Sequence, residues 1–442
     1  MLSRTHADGP SGRTIAAPSL DFVAYAVIVL LVAIAPAMNI DDAVFFNYLN
    51  NTEAPRPLYY YMGYVHLIPE VTAYALSPLA PVAQAVLYRV VPLATALILY
   101  RELARLFGLS GALMEARLLA LGIVLVLRVF EPDMWANVSY AAWTALIAAM
   151  ACVARKSAAH GPYSTAGGAG LFVAGAAFPV GAVIVPPLIV DAVIGPDAVR
   201  QRQSASIAVS IIVTHVVVAW GAPDAMWNAD WIQVPFQFLD GFREDKLENS
   251  TVVFSIVVLC VALSMVFLRP VAQSTRRVVG SLTFVGLASL GVYVASARFA
   301  LFGGGFPSRY AVTALGAALA TLAWLLLVWR PAHRPLLAGM FFGAAASLAA
   351  VGMSMHLRGP LEWALIKYRF MQVASDARQD CHNDQHWVFQ DDKSSPVLLC
   401  RRRSVRPGEE EVLRNYTPSW GDRDSDQSDP TRPFILNPKP LF

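Results

Sequence analysis

The chain has 442 residues, of which 56% are hydrophobic and only 15% are charged, and its mean hydropathy is +0.50. A soluble domain cannot bury that much apolar surface, so the composition excludes a soluble protein. The net charge of +3 comes from cations in short segments between apolar runs, which excludes a basic patch for nucleic acid. Repeated apolar runs of about 17–20 residues match a helix that crosses a hydrocarbon core. The sequence therefore predicts an all-α polytopic membrane protein.

The predicted spans follow one another along most of the chain. In order they are Phe22–Met38, Pro81–Tyr100, Leu113–Phe130, Tyr140–Ala154, Ser206–Ala222, Thr251–Leu268, Val279–Ala297, Ala311–Val328 and Leu336–Met355. The first run has a second interpretation as a cleaved signal peptide, because "APAM" contains a small-x-small pattern and Arg4 and Arg13 precede it. The length of the run favours an uncleaved anchor.

One apolar run, from Ala166 to Ile194, is too long for a single upright helix. It has basic residues before it, at Arg155, and after it, at Arg200, so both flanks are predicted to be cytoplasmic. We therefore expect a re-entrant hairpin that is broken near Phe178–Gly181. With it, the chain has about eleven spanning or half-spanning helices, a cytoplasmic N-terminus and an extracytoplasmic C-terminal tail.

A composition shift divides the chain into a membrane domain, 1–355, and a small extracytoplasmic tail, 356–442. The tail is polar, and its short apolar runs "HWVFQ" and "SPVLLC" predict a few strands, so we expect mixed structure there. Cys381 and Cys400 are candidates for a disulfide in an oxidising compartment. The alternative is two unpaired thiols.

The first external loop, residues 39–80, contains two adjacent carboxylates, Asp41 and Asp42, directly after the first span. Like charges beside lipid raise the pKa of one carboxylate, which makes it a candidate general base at the membrane surface. The alternative is that both residues simply mark the outer end of the span.

The same loop continues with an aromatic and apolar pattern over Pro55–Pro81, which predicts an amphipathic interfacial helix. His66 and Glu70 are four residues apart and would share a face of that helix. They are candidates for the acceptor side of a site or, alternatively, a solvated pair.

Two further external loops bring charged residues to the same side. Glu131 and Asp133 lie in "FEPDMWANVSY". The alternative interpretation of this loop is an ordinary turn. Arg298 and Arg309 flank three consecutive glycines, and they are cations where the positive-inside rule disfavours them. Arginine binds phosphate bidentately, so these two are candidates for a phosphate site. The alternative is a flexible turn whose arginines pair with lipid phosphates.

The pattern resembles the GT-C superfamily of polytopic glycosyltransferases. The resemblance rests on "NIDDAVFFNYL" (Asn39–Leu49), the interfacial segment after it and "EPDMW" (Glu131–Trp135), while "PSRY" (Pro307–Tyr310) is similar to phosphate-contacting arginine loops in these enzymes. It implies that Asp41 or Asp42 is the catalytic base and that Arg309, supported by Arg298, holds the donor phosphate.

The resemblance implies an inverting glycosyltransferase of a bacterial inner membrane. Its partners would be a polyprenyl-phosphate sugar donor, a glycan or glycolipid acceptor and membrane lipids. No cofactor is required by the pattern, although two carboxylates are able to bind a divalent metal ion. Two alternatives stay open: a polymerase or ligase acting on lipid-linked polysaccharide, and a transporter or flippase. Arg89 and His215, which lie deep in apolar segments, keep transport open.

Overall fold

The computed structural model describes residues 17–33, 60–61, 64–65, 67–76, 78–79, 87, 89–135, 137–159, 161–220, 246–295, 308–329, 331–354, 387–392, 395–400 and 434–435. The α-helices of these residues are α1 (Ala17–Ala33), α2 (Leu67–Leu76), α3 (Val90–Gly108), α4 (Leu113–Phe130), α5 (Val138–Ala158), α6 (Thr165–Ala176), α7 (Val185–Ile194), α8 (Ala198–Trp220), α9 (Lys246–Leu268), α10 (Gln273–Ala295), α11 (Ser308–Trp329) and α12 (Arg334–Ser354). Short 3-10 helices cover Pro132–Trp135, Pro179–Ile184 and Pro331–His333.

Four helices of the described residues are long and apolar enough to cross a membrane. They are Asn249–Leu268, Gln273–Ala295, Arg309–Trp329 and Pro331–Val351. The helical fold is therefore confirmed, and the total of about eleven spanning or half-spanning helices stays a prediction. Each of these four helices overlaps a span that the sequence predicts.

The surface of the helices is rich in large apolar side chains that have no protein neighbour over them. Leu268 is 83% exposed, and Val193 and Ile194 are each 70% exposed. Extended apolar surface of this kind marks a face that contacts lipid or another apolar partner. By contrast, α11 lies in the interior, and 83% of its most apolar stretch is buried inside the protein.

Helix α12 lies at the periphery, where it packs along α4. The contact is close because α4 carries a glycine: a Cβ added at Gly122 would lie 2.8 Å from the ring of Phe341. The ring can approach the backbone only where no side chain intervenes.

The predicted break in the long apolar run is confirmed. Helix α6 ends at Ala176, Phe178 has an extended backbone with φ −168° and ψ 162°, and the chain continues through the 3-10 helix Pro179–Ile184 into α7. Gly181 packs directly on the last turn of α6, since a Cβ there would lie 2.7 Å from the Gly175 carbonyl oxygen. The break therefore depends on glycine at that position.

Two hydrogen bonds satisfy carbonyl groups that the break exposes. His215 Nε2 on α8 donates to the Gly175 carbonyl at 2.8 Å. The backbone N–H of Leu67, at the start of α2, donates to the Ala177 carbonyl at 3.3 Å. Carbonyl groups at a helix end have no partner within the helix, so these bonds stabilise the broken conformation.

The two flanks of the broken run lie side by side, as a hairpin requires. Arg200 Nη1, at the start of α8, donates to the Ala159 carbonyl at 2.7 Å, just after α5 ends. The Arg200 guanidinium also forms two contacts with Asp191 on α7, at 2.6 and 2.7 Å, and Ser204 donates to the same carboxylate at 2.6 Å. We call Ala159, Asp191, Arg200 and Ser204 the Arg200 network.

The N-terminal helix α1 is held to the bundle by polar contacts near both of its ends. Asp21 accepts hydrogen bonds from Arg117 Nε and from the Tyr100 hydroxyl, each at 2.8 Å. Arg89 Nη1 donates to the Val32 carbonyl at 2.7 Å. Three charged residues, Asp21, Arg89 and Arg117, therefore fix how α1 packs on α3 and α4.

The prediction of a helix across Pro55–Pro81 is wrong for its first part. Tyr60–Tyr61 and Tyr64–Val65 form an antiparallel strand pair, β1 and β2, and only Leu67–Leu76 is helical. Tyrosine favours extended backbone, which agrees with strands at these positions. In the tail, β3 (Trp387–Asp392) pairs with β4 (Ser395–Cys400) and β5 (Phe434–Ile435), and the first two of these strands overlap the predicted ones.

Candidate functional site

Arg309 lies in the first turn of α11 and is held by two tyrosines. Its Nη1 donates to the Tyr140 hydroxyl at 2.8 Å. Its guanidinium carbon lies 5.4 Å from the ring centre of Tyr140 and 5.5 Å from that of Tyr310. Cation–π contacts of this kind fix the plane of a guanidinium as well as its position. Arg309 is thus a partly exposed cation in a defined orientation.

An aromatic wall, formed by Trp143, Phe178, Tyr293 and Tyr310, lies behind Arg309. Tyr310 stacks on Tyr293 of α10 with ring centres 3.9 Å apart, and it meets Trp143 of α5 edge-on at 5.1 Å. Trp143 in turn contacts Phe178, at the helix break, at 4.5 Å. The break is therefore part of the surroundings of Arg309.

Glu131 lies at the same end of the bundle and is buried, with 5% of its surface exposed. It follows the last residue of α4, and its N–H donates to the Leu127 carbonyl at 3.0 Å. Trp135 and Asn137, on the connection to α5, have no exposed surface. Glu131, Trp135 and Asn137 of the predicted acidic loop are thus packed into the protein.

The Arg200 network lies at the end of α5 opposite to Arg309 and Tyr140. Tyr140 is in the first turn of this helix, whereas Arg155, which bonds Glu102 at 2.8 Å, is in its last turn. Fifteen residues of helix separate these two positions by about 22 Å. Burial, followed by the neighbouring Arg155 cation, lowers the pKa of Lys156 at that end.

Several predicted site residues lie outside the described residues. They are Asp41, Asp42, His66, Arg298 and Cys381. Glu70, Asp133 and Cys400 are described by their backbone alone, in α2, in the 3-10 helix Pro132–Trp135 and at the end of β4. Their roles, and the disulfide, stay predictions.

Sequence reasoning did not find the residues that hold Arg309. In the sequence, Tyr140 and Trp143 are ordinary members of a predicted span, and Phe178 marks only the predicted break. The available signal was the run of aromatic residues at the starts of two spans, but that pattern is also typical of interfacial anchors.

Chemically, this end of the protein offers an oriented guanidinium beside a wall of aromatic rings. A guanidinium donates two parallel hydrogen bonds to a phosphate, and aromatic faces pack against sugars or apolar chains. Among the residues that the structure describes, no three His, Cys, Asp or Glu side chains are grouped as metal ligands. The carboxylates that the sequence suggests for a divalent ion, Asp41 and Asp42, lie outside that part.

Comparison with known proteins gives no relative for this chain. No protein-family model matches it, and neither a curated protein nor a solved structure shows significant similarity. The resemblance to GT-C glycosyltransferases therefore rests on the motifs of this sequence alone.

Proposed function

We propose that this protein is an integral membrane glycosyltransferase. It moves a sugar from a polyprenyl-phosphate donor to a glycan or glycolipid acceptor on the outer face of a bacterial inner membrane. Asp41 or Asp42 acts as the general base, and Arg309, with Arg298, binds the donor phosphate. Glu131, Asp133, His66 and Glu70 line the acceptor side.

The observation that supports this proposal most is the way Arg309 is held. A guanidinium fixed by a hydrogen bond and two ring faces loses little freedom when it binds a phosphate. In an inverting transfer, the base takes the proton of the acceptor hydroxyl while negative charge grows on the leaving phosphate. An oriented cation stabilises that growing charge without reorganising.

Two residues that favoured a transporter have structural partners. Arg89 donates to the last turns of α1, and His215 donates to the broken end of α6. Ionisable residues deep in apolar segments suggest transport when they line a path, whereas these two satisfy backbone carbonyl groups. Because both side chains already bind backbone carbonyl groups, we favour the enzyme over a transporter.

The test is a transfer assay with purified protein in nanodiscs and a panel of polyprenyl-phosphate sugars. Wild-type protein should release polyprenyl phosphate only when an acceptor is present. Asp41→Asn or Asp42→Asn should abolish transfer, and Arg309→Gln should lower it by about 100-fold or more. Arg105→Gln is the matched control, because its exposed guanidinium lies at the opposite end of the bundle.

A polymerase or ligase would behave differently in the same assay. It would keep its activity in both Asn variants and would use lipid diphosphates instead. If no polyprenyl-phosphate sugar is consumed, or if both Asn variants and Arg309→Gln transfer at the wild-type rate, the proposal is wrong.

A further inference from the structure

Three arginines lie on the short turn that joins α9 to α10. They are Arg269, Arg276 and Arg277, and all three are exposed. Helix α9 ends at Leu268 and α10 begins at Gln273, and both helices contain a stretch that is long and apolar enough to cross a membrane. Two successive crossing helices must be joined at the membrane surface. The three arginines therefore lie at the boundary between lipid and water.

The turn lies at the end of the bundle that is opposite to Arg309. Arg277 Nη1 donates to the carbonyl of Ser157, in the last turn of α5, at 3.4 Å. The Ser281 hydroxyl, one turn further along α10, lies 3.4 Å from the Ser157 hydroxyl. The last turn of α5 also carries Arg155, at the end of the bundle that the sequence predicts to be cytoplasmic. The turn is thus separate from the proposed transfer site, and the inference below is independent of the proposed function.

The positive charge of this turn is not balanced by carboxylates nearby in the sequence. No Asp or Glu lies between Glu248 and Glu362. In the part of the chain that the structure describes, the ion pairs involve other arginines, which are Arg105, Arg117, Arg155 and Arg200. The cations of the turn are therefore available to an anion that comes from outside the protein.

The guanidinium groups are partly oriented by backbone carbonyl groups. Arg276 Nη2 donates to the Arg269 carbonyl at 3.4 Å, which brings its guanidinium back over the turn. Arg277 is held on the α5 side by the Ser157 carbonyl. A guanidinium has five N–H donors, so one bond to a carbonyl leaves most of them free to bind a phosphate.

Large apolar side chains are exposed directly beside these cations. Phe267 is 67% exposed and Leu268 is 83% exposed, and Arg269 follows them in the chain. Only 28% of the most apolar stretch of α9 is buried inside the protein. A cationic turn next to an open apolar face matches a ligand that has an anionic head and an apolar chain.

We propose that this turn binds the headgroup of an anionic phospholipid. The lipid phosphate accepts hydrogen bonds from the guanidinium groups of Arg269, Arg276 and Arg277. Its acyl chains lie along α9 and cover Phe267 and Leu268. A soluble phosphate would satisfy the cations but would leave this apolar face uncovered, and the face therefore favours a lipid.

The test is a lipid titration of the full chain in a non-ionic detergent, with bound lipid counted by native mass spectrometry. Wild-type protein should bind dioleoyl phosphatidylglycerol more tightly than dioleoyl phosphatidylcholine. Arg276→Gln/Arg277→Gln should weaken phosphatidylglycerol binding by about 30-fold and leave phosphatidylcholine binding unchanged. Arg269→Gln should weaken it by about fivefold. The Arg269 side chain makes no hydrogen bond within the described part, so this second variant changes binding without affecting the fold.

The matched control is Arg101→Gln/Arg202→Gln, which removes the same charge from two exposed arginines on α3 and α8. Its affinity for phosphatidylglycerol should stay close to that of wild type. An equal loss in the control, or equal wild-type affinity for the two lipids, overturns the proposal. Displacement of phosphatidylglycerol by inorganic phosphate at the same concentration also overturns it, because the site would then bind a soluble anion.

Discussion

Arg200 and Asp191 form a paired salt bridge, with nitrogen–oxygen distances of 2.6 and 2.7 Å, at the point where the broken helix hairpin returns to its starting level. Only 2% of the Arg200 side chain is exposed, so both charges are largely removed from water. A buried guanidinium without its carboxylate is much more costly than the pair itself is stabilising.

Asp191→Asn should therefore destabilise the protein strongly. We expect a loss of about 3–5 kcal/mol in the free energy of unfolding, since the Arg200 charge stays buried without a counterion. Chemical denaturation in detergent micelles measures the loss. Arg105→Gln breaks a half-exposed ion pair with Glu102 and should cost about 1 kcal/mol or less. Equal effects of the two substitutions would contradict the buried pairing.

Gly181→Ala should disrupt the helix break. The added Cβ would meet the carbonyl oxygens of Ala174 and Gly175, which are backbone atoms and cannot turn away. We expect a lower melting temperature and faster protease cleavage near Phe178, followed by mass spectrometry. Gly170→Ala in α6 is the control, since its Cβ would meet open space and alanine favours a helix by up to about 1 kcal/mol. A stable Gly181→Ala protein would show that the break does not need this close contact.

Stability should depend on the protonation of Asp21 at acidic pH. Burial raises the pKa of Asp21, but the hydrogen bonds from Arg117 and Tyr100 outweigh it, so that the pKa is lowered from 3.8. A lowered pKa in the folded state adds stability that is present above the unfolded value and is lost as the pH falls through the folded value.

The melting temperature of Asp21→Asn should accordingly lie below that of wild type at neutral pH. The difference should shrink as the pH is lowered below about 4. Melts of both proteins between neutral pH and pH 3 measure it. A difference that stays constant over this range would mean that the Asp21 charge does not stabilise α1.

Tyr140→Phe should weaken the hold on Arg309 while leaving the aromatic packing in place. The lost hydrogen bond involves a charged donor, which corresponds to about 10-fold to 100-fold in the transfer rate if Arg309 binds the donor phosphate. Steady-state transfer kinetics at saturating acceptor measure the rate. Tyr25→Phe, on the far side of the bundle near Asp21, is the matched control. A Tyr140→Phe enzyme with normal rates would show that this hydrogen bond is not needed to orient Arg309.

Hydropathy located most helices well because a long apolar segment has one stable conformation in lipid. The bounds of α4, Leu113–Phe130, agree with the predicted span, and the break at Phe178 follows from basic residues on both flanks. Helix α3 continues beyond the predicted span Pro81–Tyr100, as far as Gly108. The charged residues Arg101, Glu102 and Arg105 extend it, and Glu102 is buried against Arg155.

The contacts at the candidate site could not be predicted from the sequence, for a physical reason. Which aromatic residue meets Arg309 depends on the rotation and register of α5, α10 and α11, and hydropathy carries no information on either. Arg309 itself stands out in the sequence, because it is a cation in a segment predicted to be external. The tyrosines that bind it have the same composition as ordinary interfacial anchors.

The proximity of Arg200 to Ala159 means that the broken segment begins and finishes at neighbouring points. Excising residues 160–197 and joining the ends with a short linker would leave every later helix running in its original direction. The broken segment therefore adds length to the chain without reversing the direction of the helices that follow it.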